Sequence, residues 1–371
     1  MKADFAIVGA GMAGASLAAA AAPHGSVLIL EAEAQPGYHA TGRSAAFWSE
    51  SYGGPLVQPL TTASHAFLSA PPAAFSEHGF LKPRGCIYLA DAGGSAALAA
   101  LRADFAGSNL ALYDLDGAAL ASHIPGLRPA WTQGLGEPSC ADIDVAGLHG
   151  AYLKAARAAG AQLVTDAALI GATPADGGWR LDTKAGEYRA DILVNAAGAW
   201  ADQIAAIAGV APIGVKPYRR TVAQLRVDPP ACADMPLIID ARGSFYFKPE
   251  AGGRIWLSPH DETACDPCDT APEELDVAIA IERLNEVVSW RVLQVEHRWA
   301  GLRSFAPDRL PVYGFAPGRP DFFWCAGQGG FGIQTAPAAA ELAAALLLGS
   351  RAGPLAAAID PGPYLVGRFA N

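Results

Sequence analysis

Three glycines near the amino terminus constrain the fold more than any other feature of the chain. Gly9, Gly11 and Gly14 stand in VGAGMAG, after the apolar run DFAIV and before an alanine-rich stretch. This spacing is typical of a tight strand-to-helix turn, where the backbone approaches a pyrophosphate and the helix end attracts the anion. A second strand, SVLILE, ends in Glu31, where a carboxylate would accept hydrogen bonds from a ribose. The pattern predicts a nucleotide-binding βαβ unit.

A second glycine-rich patch narrows the choice of nucleotide. Glu31 would repel a 2′-phosphate, which disfavours NADP but leaves NAD and FAD open. The patch CAGQGGFGIQTAP contains Gly330 and Gly332, and we expect it to open a terminal helix. Two glycine-led helix starts would offer positive charge to a pyrophosphate and to the electron-rich edge of a reduced flavin. The two patches together favour FAD, with a plain tight turn as the alternative for the second.

Length and breaker content predict two domains. Single cores stop growing near ~250 to 300 residues, and this chain has 371, with 41 Gly and 28 Pro. Short apolar runs such as SFYFKP and RIWLSP fill the stretch 210–300. We predict an α/β fold, a Rossmann-like FAD-binding domain with an inserted antiparallel β-sheet domain for the substrate. The predicted FAD-binding domain is 1–80, 142–212 and 301–371, and the predicted substrate domain is 81–141 and 213–300.

Charge and apolar patterning exclude several functions. The formal net charge is −10 and no basic run is present, so nucleic acid is not an expected partner. No apolar tract reaches the ~20 residues of a transmembrane helix. The N-terminal sequence lacks a secretory pattern, so we expect a cytoplasmic location, with peripheral membrane association left open. Cys265 and Cys268 form a lone CxxC, and we expect no metal there.

Several motifs together resemble one family. GYHATGRSAA, VNAAGAW, WAGLRSF and GQGGFGIQT, with the first glycine turn, resemble the FAD-dependent D-amino-acid oxidase and dehydrogenase superfamily, which includes glycine and sarcosine oxidases. Within it, the likeness is greatest to bacterial D-arginine dehydrogenases and runs nearly the full length. The resemblance implies FAD held between the two domains, a small-molecule D-amino acid as substrate, and an electron acceptor: a quinone, a dye-like acceptor or O₂.

The resemblance also implies which residues hold the cofactor. Some sarcosine-oxidase relatives tether the flavin through a cysteine ahead of the last strand, where this chain has Pro311 and Val312, so we expect non-covalent FAD. The implied ADP-binding residues are Gly9, Gly11, Gly14 and Glu31. The implied contacts to the flavin and its ribityl chain are Gly42, Arg43, Ser44, Ala45, Gly198, Gly330, Gly332, Ile333 and Gln334.

An amino-acid substrate brings a carboxylate, and a guanidinium matches it with two parallel donors. By resemblance, Arg303 in WAGLRSF is the carboxylate-binding arginine, with the hydroxyls of Tyr246 and Tyr52 as further donors. Arg220 resembles a residue near the active site of relatives. For both arginines the alternative is a solvated surface charge.

Two departures from the D-arginine-selective pattern bear on specificity. Cys86 stands where those relatives carry an acid, and Phe47 where they carry a histidine. A cationic head buried without an acid would cost roughly 3 to 5 kcal/mol. Glu50 is the alternative acid. We therefore predict that the substrate is a D-amino acid with a neutral or hydrophobic side chain. Trp48, next to Phe47, we predict to be a core residue.

The predicted reaction is oxidative deamination of a D-amino acid. A hydride would pass from Cα to flavin N5, and water would convert the imine to 2-oxo acid and ammonia. The closeness to dehydrogenases favours a dehydrogenase over an oxidase. The alternatives are a glycine- or sarcosine-type amine oxidase, a 2-hydroxy-acid oxidoreductase, and a flavin-binding redox partner without catalysis.

Overall fold

The computed structural model of the chain describes residues 2–175 and 177–369. In those ranges it shows two large β-sheets, a small sheet and eight α-helices. The strands are β1 Lys2–Val8, β2 Val27–Leu30, β3 Phe47–Trp48, β4 Leu81–Pro83, β5 Cys86–Asp91, β6 Tyr113–Asp116, β7 Trp131–Glu137, β8 Ala141–Ile143, β9 Gln162–Val164, β10 Leu169–Ala175, β11 Gly178–Thr183, β12 Gly186–Asn195, β13 Lys216–Asp228, β14 Leu237–Asp240, β15 Tyr246–Glu250, β16 Arg254–Ser258, β17 Thr263–Ala264, β18 Arg291–Phe305, β19 Val312–Ala316, β20 Arg319–Ala326 and β21 Gln328–Gly329. The α-helices are α1 Met12–Ala21, α2 Gln58–Ser69, α3 Ser95–Asp104, α4 Gly117–His123, α5 Val145–Ala158, α6 Ala201–Ile207, α7 Glu274–Val287 and α8 Ala336–Leu348.

The first sheet contains the predicted βαβ unit. Strands β9, β2, β1, β12 and β20 lie side by side and run parallel. Strands β10 and β11 extend the sheet beside the first half of β12, and β19 pairs with β20, all antiparallel. The prediction of strand, helix and strand over the first thirty residues is confirmed.

Both faces of this sheet are buried, as expected for parallel strands covered by helices. Side chains alternate along β20, so that Phe322 and Trp324 join one core while Phe323 and Cys325 join the other. The second of these cores includes residues of α1 and α8. The sheet is therefore the middle layer of this part of the fold. Because helices cover its faces, a ligand site can form at the ends of its strands.

The second sheet is antiparallel except for the pair β14 and β5. Its strand order is β21-β18-β13-β16-β15-β14-β5-β7-β6, with β17 beside β13. Helix α7 covers one face, where Ala280 and Leu284 share a core with Ile255 and Leu257. An α/β layer with a second, antiparallel sheet confirms the predicted fold class.

Two details differ from the sequence-based expectation or refine it. The glycines of the second patch do not open the terminal helix: α8 begins at Ala336, and Gly330 and Gly332 lie in the turn before it. The predicted domain boundary between 300 and 301 falls inside β18, a continuous strand of the second sheet. The division into domains stays a prediction. No helix in the described ranges is long and apolar enough to cross a bilayer.

Truncating Phe322 tests the buried layer. Its ring has no exposed surface and lies 6.4 Å from Trp179 and 5.3 Å from Trp324, centroid to centroid. Phe322→Ala should lower the free energy of unfolding by about 3 to 5 kcal/mol through lost burial and the cavity left behind. The control is Leu275→Ala, since Leu275 is 66% exposed and should change it by less than about 0.5 kcal/mol. Denaturant titration of both variants measures this, and equal losses would contradict it.

Candidate functional site

A cleft of about 370 Å³ opens at the carboxyl ends of β1 and β2. This is where open α/β sheets bind ligands, because the loops after the strands diverge there. The cleft is bordered by the first glycine turn, the end of β2, the segment 37–41 with Ser44, the segment after β12 and the second glycine patch. The residues that the sequence assigned to a nucleotide thus come together at one site.

The first glycine turn is too tight for side chains. A Cβ on Gly9 would lie 2.5 Å from the carbonyl oxygen of Ala196, and φ there is +101°. A Cβ on Gly14 would lie 1.9 Å from the carbonyl oxygen of Gly9. Gly9 and Gly11 border the cleft, whereas Gly14 lets α1 pack against the turn. The bare backbone is what a pyrophosphate needs to approach the helix end.

Glu31 borders the cleft and braces the same turn. Its carboxylate accepts the N–H of Ala10 at 2.7 Å and that of Glu33 at 3.0 Å. His149 of α5 donates from Nε2 to the carbonyl of Ala10 at 2.8 Å, and burial lowers the pKa of this histidine. Sequence reasoning missed His149, which lies 139 residues from its partner and stands in no motif.

The segment 42–45 divides between different surroundings. Ser44 borders the cleft, and Ala45 borders a neighbouring cavity. Gly42 lies outside both linings, and its N–H donates to Gly37. The Arg43 side chain is turned away from the cleft. It forms an ion pair with Asp269 and donates hydrogen bonds to the carbonyls of Thr270 and Ala300. The contacts of Gly42 and Arg43 with the flavin stay a prediction, and the ion pair with Asp269 leaves the Arg43 backbone rather than its guanidinium for that role.

The remaining predicted cofactor contacts lie at the cleft, with one exception. Gly198, at φ +55°, borders it, as do Gly330, Gly332 and Ile333. Gln334 borders the neighbouring cavity instead, and its amide is occupied by hydrogen bonds to the segment 49–61. Its contact to the flavin stays a prediction, since the amide already bonds the backbone of Ser49 and Tyr52 and the hydroxyl of Thr61.

The neighbouring cavity, of about 20 Å³, is the candidate substrate site. It meets the cofactor cleft at Ser44, Arg303, Gly330 and Ile333, which border both. Its wall also holds the predicted pocket residues Phe47, Tyr52, Tyr246 and Arg220. The structure brings together side chains from β3, β13, β15 and β18, of which Phe47 and Arg303 are 256 positions apart in sequence.

Arg303 is buried in this wall, with 7% of its surface exposed. Among the described residues no carboxylate pairs with it, and its one hydrogen bond is to its neighbour, the carbonyl of Leu302, at 3.4 Å. Burial lowers the pKa of Arg303, while nearby Tyr246 opposes that change. A buried guanidinium without a partner anion is costly, so this position is suited to an anionic ligand.

Arg220 is also buried but is already compensated. Its Nε donates to the carbonyl of Asp261 at 2.7 Å, and Nη2 to Glu262 at 2.9 Å. Neither arginine is the solvated surface charge that the sequence left open. Burial raises the pKa of Tyr246, so its hydroxyl stays protonated and able to donate.

The specificity residues are only partly at the cavity. The Phe47 ring lies 5.3 Å from that of Tyr52 and 5.9 Å from that of Tyr246. Cys86 is buried behind the wall and Glu50 accepts a hydrogen bond from Thr62, so neither borders the cavity. Their assignment to the pocket stays a prediction: Cys86 packs in the same core cluster as Tyr246 and Phe47, and Glu50 is held by its local hydrogen bond. The prediction that Trp48 is core is confirmed.

Sequence reasoning also missed His260, which packs edge-on against Tyr246 at 5.6 Å. Its Nδ1 donates to the carbonyl of Gly243 at 2.7 Å. Burial, with Arg220 and Arg303 nearby, lowers the pKa of His260 to about 3. The imidazole is therefore neutral at working pH. In the described ranges no group of three His, Cys, Asp or Glu could hold a metal ion.

Comparison with known proteins identifies the family. A family model described as "DAO: FAD dependent oxidoreductase" matches residues 4–346. The chain belongs to this family. The DAO-family protein is thus an FAD-dependent oxidoreductase, and FAD is its cofactor. The cleft fits FAD, because its lining combines the bare backbone of Gly9 and Gly11 for a pyrophosphate with the carboxylate of Glu31 for a ribose. No cysteine is among the described residues that border it, and non-covalent binding stays a prediction.

Individual relatives agree with the family. The glycine oxidase of Pseudomonas aeruginosa is 32% identical over 186 residues, 49% of this chain and 47% of that protein. The chain thus spans about half the length of the curated relatives it matches. The glycine oxidase structure from Geobacillus kaustophilus has a TM-score of 0.85, 24% identity and 99% coverage of both chains. The L-α-glycerophosphate oxidase of Mycoplasma pneumoniae with FAD bound has a TM-score of 0.82, 17% identity, and coverage of 94% and 95%.

Gly14→Ala tests the cradle of the DAO-family enzyme. The added methyl group would collide with the Gly9 carbonyl, so the turn must open and the purified variant should carry little flavin. The matched control is Gly150→Ala on α5, where an added Cβ meets nothing within 4 Å. The ratio of flavin to protein absorbance measures the outcome. Equal flavin content in both variants would contradict the proposed role of Gly14.

The lowered pKa of His260 predicts acid sensitivity. Below its ordinary value near 6.5 the unfolded chain binds a proton at this residue, whereas the folded chain does so only near 3. Stability should therefore fall as the pH drops from about 6.5 towards 3. His260→Asn keeps a donor and tolerates the positive φ, and it should lose less Tm between pH 7.5 and 4.5 than wild type. The same loss in both proteins would count against this account.

Proposed function

We propose that this enzyme oxidises a D-amino acid with a neutral side chain to the 2-oxo acid and ammonia. One observation carries the proposal: Arg303 is buried, has no carboxylate partner among the described residues, and borders both the cofactor cleft and the cavity beside it. A substrate carboxylate on this guanidinium would lie next to the flavin end of the cleft. The resemblance to D-amino-acid enzymes supports the stereochemistry.

The chemistry divides between cofactor and protein. FAD, when bound, supplies the acceptor for the hydride from Cα. Arg303 would bind the carboxylate through two parallel donors, and the hydroxyls of Tyr246 and Tyr52 would add further hydrogen bonds. The protein then acts mainly by orientation, which is worth ~7 kcal/mol or more when the reacting atoms are held in line. No base is needed if the amine binds neutral, so we expect kcat/KM to rise with pH as the amine deprotonates.

A neutral side chain is supported by the absence of a carboxylate from the described cavity wall. Cys86 and Glu50 do not border it, so the guanidinium of D-arginine would lose its hydration without gaining a partner. The wall presents the aromatic rings of Phe47, Tyr52 and Tyr246 instead. This supports neutral or hydrophobic substrates over the basic ones of the D-arginine dehydrogenases that the chain resembles.

A second candidate is a glycine- or sarcosine-type amine oxidase. The specific observation in its favour is the cavity volume of about 20 Å³, close to what one or two water molecules need. Glycine would fit with the least movement of Tyr52 and Phe47, whereas a large side chain would have to displace them. Among D-amino acids, the same argument favours D-alanine over D-phenylalanine.

An anaerobic substrate panel tests the proposal. The holoenzyme is mixed without oxygen with D-alanine, D-leucine, D-phenylalanine, D-arginine, their L-enantiomers, glycine, sarcosine and a 2-hydroxy acid, and bleaching of the flavin absorbance is followed. We expect neutral D-amino acids to bleach the flavin faster than D-arginine. Faster bleaching by glycine or sarcosine than by any D-amino acid would replace the first proposal by the second. If none of the compounds bleaches the flavin, the remaining interpretation is a redox partner protein that binds flavin without catalysis.

The electron acceptor follows from the same samples. Readmission of air reports reaction with O₂, and a quinone or dye added in place of air reports dehydrogenase activity. We propose a dehydrogenase, from the resemblance alone. Rapid return of the flavin absorbance in air would identify an oxidase.

Arg303→Met tests the carboxylate site. Loss of one partner of a buried, hydrogen-bonded charge pair costs about 2 to 5 kcal/mol, which predicts a fall in kcat/KM of roughly thirtyfold or more. The control is Arg298→Met on the same strand, where the guanidinium is exposed and its nearest acid, Glu274, is 3.3 Å away. Steady-state kinetics with the best substrate measures both. An Arg303 variant as active as the control would remove the main support for the proposed function.

A further inference from the structure

The proposed reaction does not use Glu137, although this residue is a buried ionisable group close to the substrate cavity. It ends β7 and has no exposed surface. The groups that act on its pKa are hydroxyls, a backbone N–H and a second carboxylate, Glu50, rather than a cation, and burial raises that pKa. A buried carboxyl group without a cation is costly, so its hydrogen bonds must supply the compensation.

The shortest of those hydrogen bonds come from three consecutive residues, and Ser139 and Cys86 add longer ones at 3.3 and 3.9 Å. Oε1 accepts the N–H of Glu50 at 2.8 Å, and Oε2 accepts the hydroxyl of Ser49 at 3.0 Å. Oε2 also accepts the hydroxyl of Ser51, which in turn contacts the hydroxyl of Tyr88 at 2.6 Å. One side chain of the second sheet thus holds the whole segment 49–51.

Gln334 holds the same segment from the opposite side. Its Oε1 accepts the N–H of Ser49 at 3.2 Å, and its Nε2 donates to the carbonyls of Ser49 and Tyr52, each at 3.1 Å. Gln334 belongs to the turn that borders the cofactor cleft, whereas Glu137 belongs to the antiparallel sheet. The segment is therefore fixed between the two layers of the fold.

Tyr52 follows this segment directly and has little room to move. A Cβ on Gly330 would lie 2.1 Å from the Tyr52 hydroxyl oxygen, so that hydroxyl already fills the space above the Gly330 backbone. Both residues border the cavity that holds Arg303. A small shift of the segment 49–51 would push Tyr52 into Gly330 or withdraw it from the cavity.

We propose that Glu137 is a positioning residue of the substrate site, whose carboxylate fixes the segment 49–51 and so places the hydroxyl of Tyr52 beside Arg303. The role rests on the proposed function, since it assumes that a substrate carboxylate binds there. Glu137 touches neither substrate nor cofactor and acts only through Tyr52. A misplacement of about 1 Å at such a site costs up to 100-fold in rate, which gives the hydrogen bonds a functional consequence.

The test compares two substitutions of Glu137 in the holoenzyme. Glu137→Ala removes all the acceptors, and kcat/KM with the best substrate should fall by about tenfold or more. Glu137→Gln keeps an acceptor for the Glu50 N–H, and the serine hydroxyls can rotate to accept from its amide. This variant should therefore stay within about threefold of wild type. Affinity for propionate, a carboxylate that cannot be oxidised, is read from the flavin spectrum and should follow the same order.

The matched control is Glu341→Ala. Glu341 also anchors a loop through backbone N–H groups, those of Leu355 at 2.9 Å and Ala356 at 3.3 Å, and it borders neither the cleft nor the cavity. Its loss should lower Tm while leaving propionate affinity and KM near the wild-type values. A general loss of stability is thereby separated from a loss of position.

A double-mutant cycle shows whether Glu137 acts through Tyr52. Tyr52→Phe removes the hydroxyl, and in that background Glu137→Ala should cost much less than it does alone, because the group that it places is absent. If Glu137→Ala does not fold, Ser49→Ala combined with Ser51→Ala removes both hydroxyl hydrogen bonds between the segment 49–51 and Glu137 and takes its place in the cycle.

The outcomes separate this inference from the proposed function. The positioning role is wrong if Glu137→Ala, or the serine pair in its place, leaves propionate affinity and kcat/KM within about threefold of wild type. It is equally wrong if Glu137→Gln loses as much as Glu137→Ala, or if the losses at Glu137 and Tyr52 simply add. If wild-type enzyme binds propionate but oxidises none of the panel, the proposed function is wrong, whereas the positioning role of Glu137 is unaffected.

Discussion

The close approach of α1 to the end of β1 is the constraint on which the cofactor site depends. The Gly9 carbonyl lies where a Cβ on Gly14 would be, and the Gly9 backbone in turn lies against Ala196 after β12. Helix, first strand and neighbouring strand therefore come into close contact, and the first turn of the helix borders the cleft. Glu31 and His149 add hydrogen bonds to Ala10, so this backbone is fixed from two sides.

The substrate cavity depends on the contact between the two layers. Arg303 is carried by β18 of the antiparallel sheet, yet it also borders the cleft made by the parallel sheet. The segment 49–51 is held by Glu137 from one layer and by Gln334 from the other. The substrate site is therefore built from both sheets, and a shift of either sheet would change the position of the residues that contact the substrate.

Local patterns predicted the fold well, because each depends on neighbours in sequence. The glycine turn between its strand and helix was predicted, as were the short strands of the second sheet and the burial of Trp48. The wall of the substrate cavity was predicted through family resemblance, which placed Arg303, Tyr246 and Phe47 together. Arg43 and Cys86 were assigned by the same resemblance and Glu50 by its place in the sequence; in the structure Arg43 pairs with Asp269, and Glu50 accepts a hydrogen bond from Thr62. Their orientation depends on partners far away in the chain, such as Asp269 for Arg43.

The sequence by itself determined the nucleotide cradle, since a strand, a glycine turn and an acid at the next strand end need only thirty residues to define it. Tertiary structure alone decided the state of the charged groups. Arg303 lacks a carboxylate partner among the described residues while Arg220 has Glu262, and His260 is neutral because it is buried beside arginines. Glu137 is buried against three residues that precede it by more than eighty positions. Burial and pairing are properties of distant contacts, and no short pattern of residues specifies them.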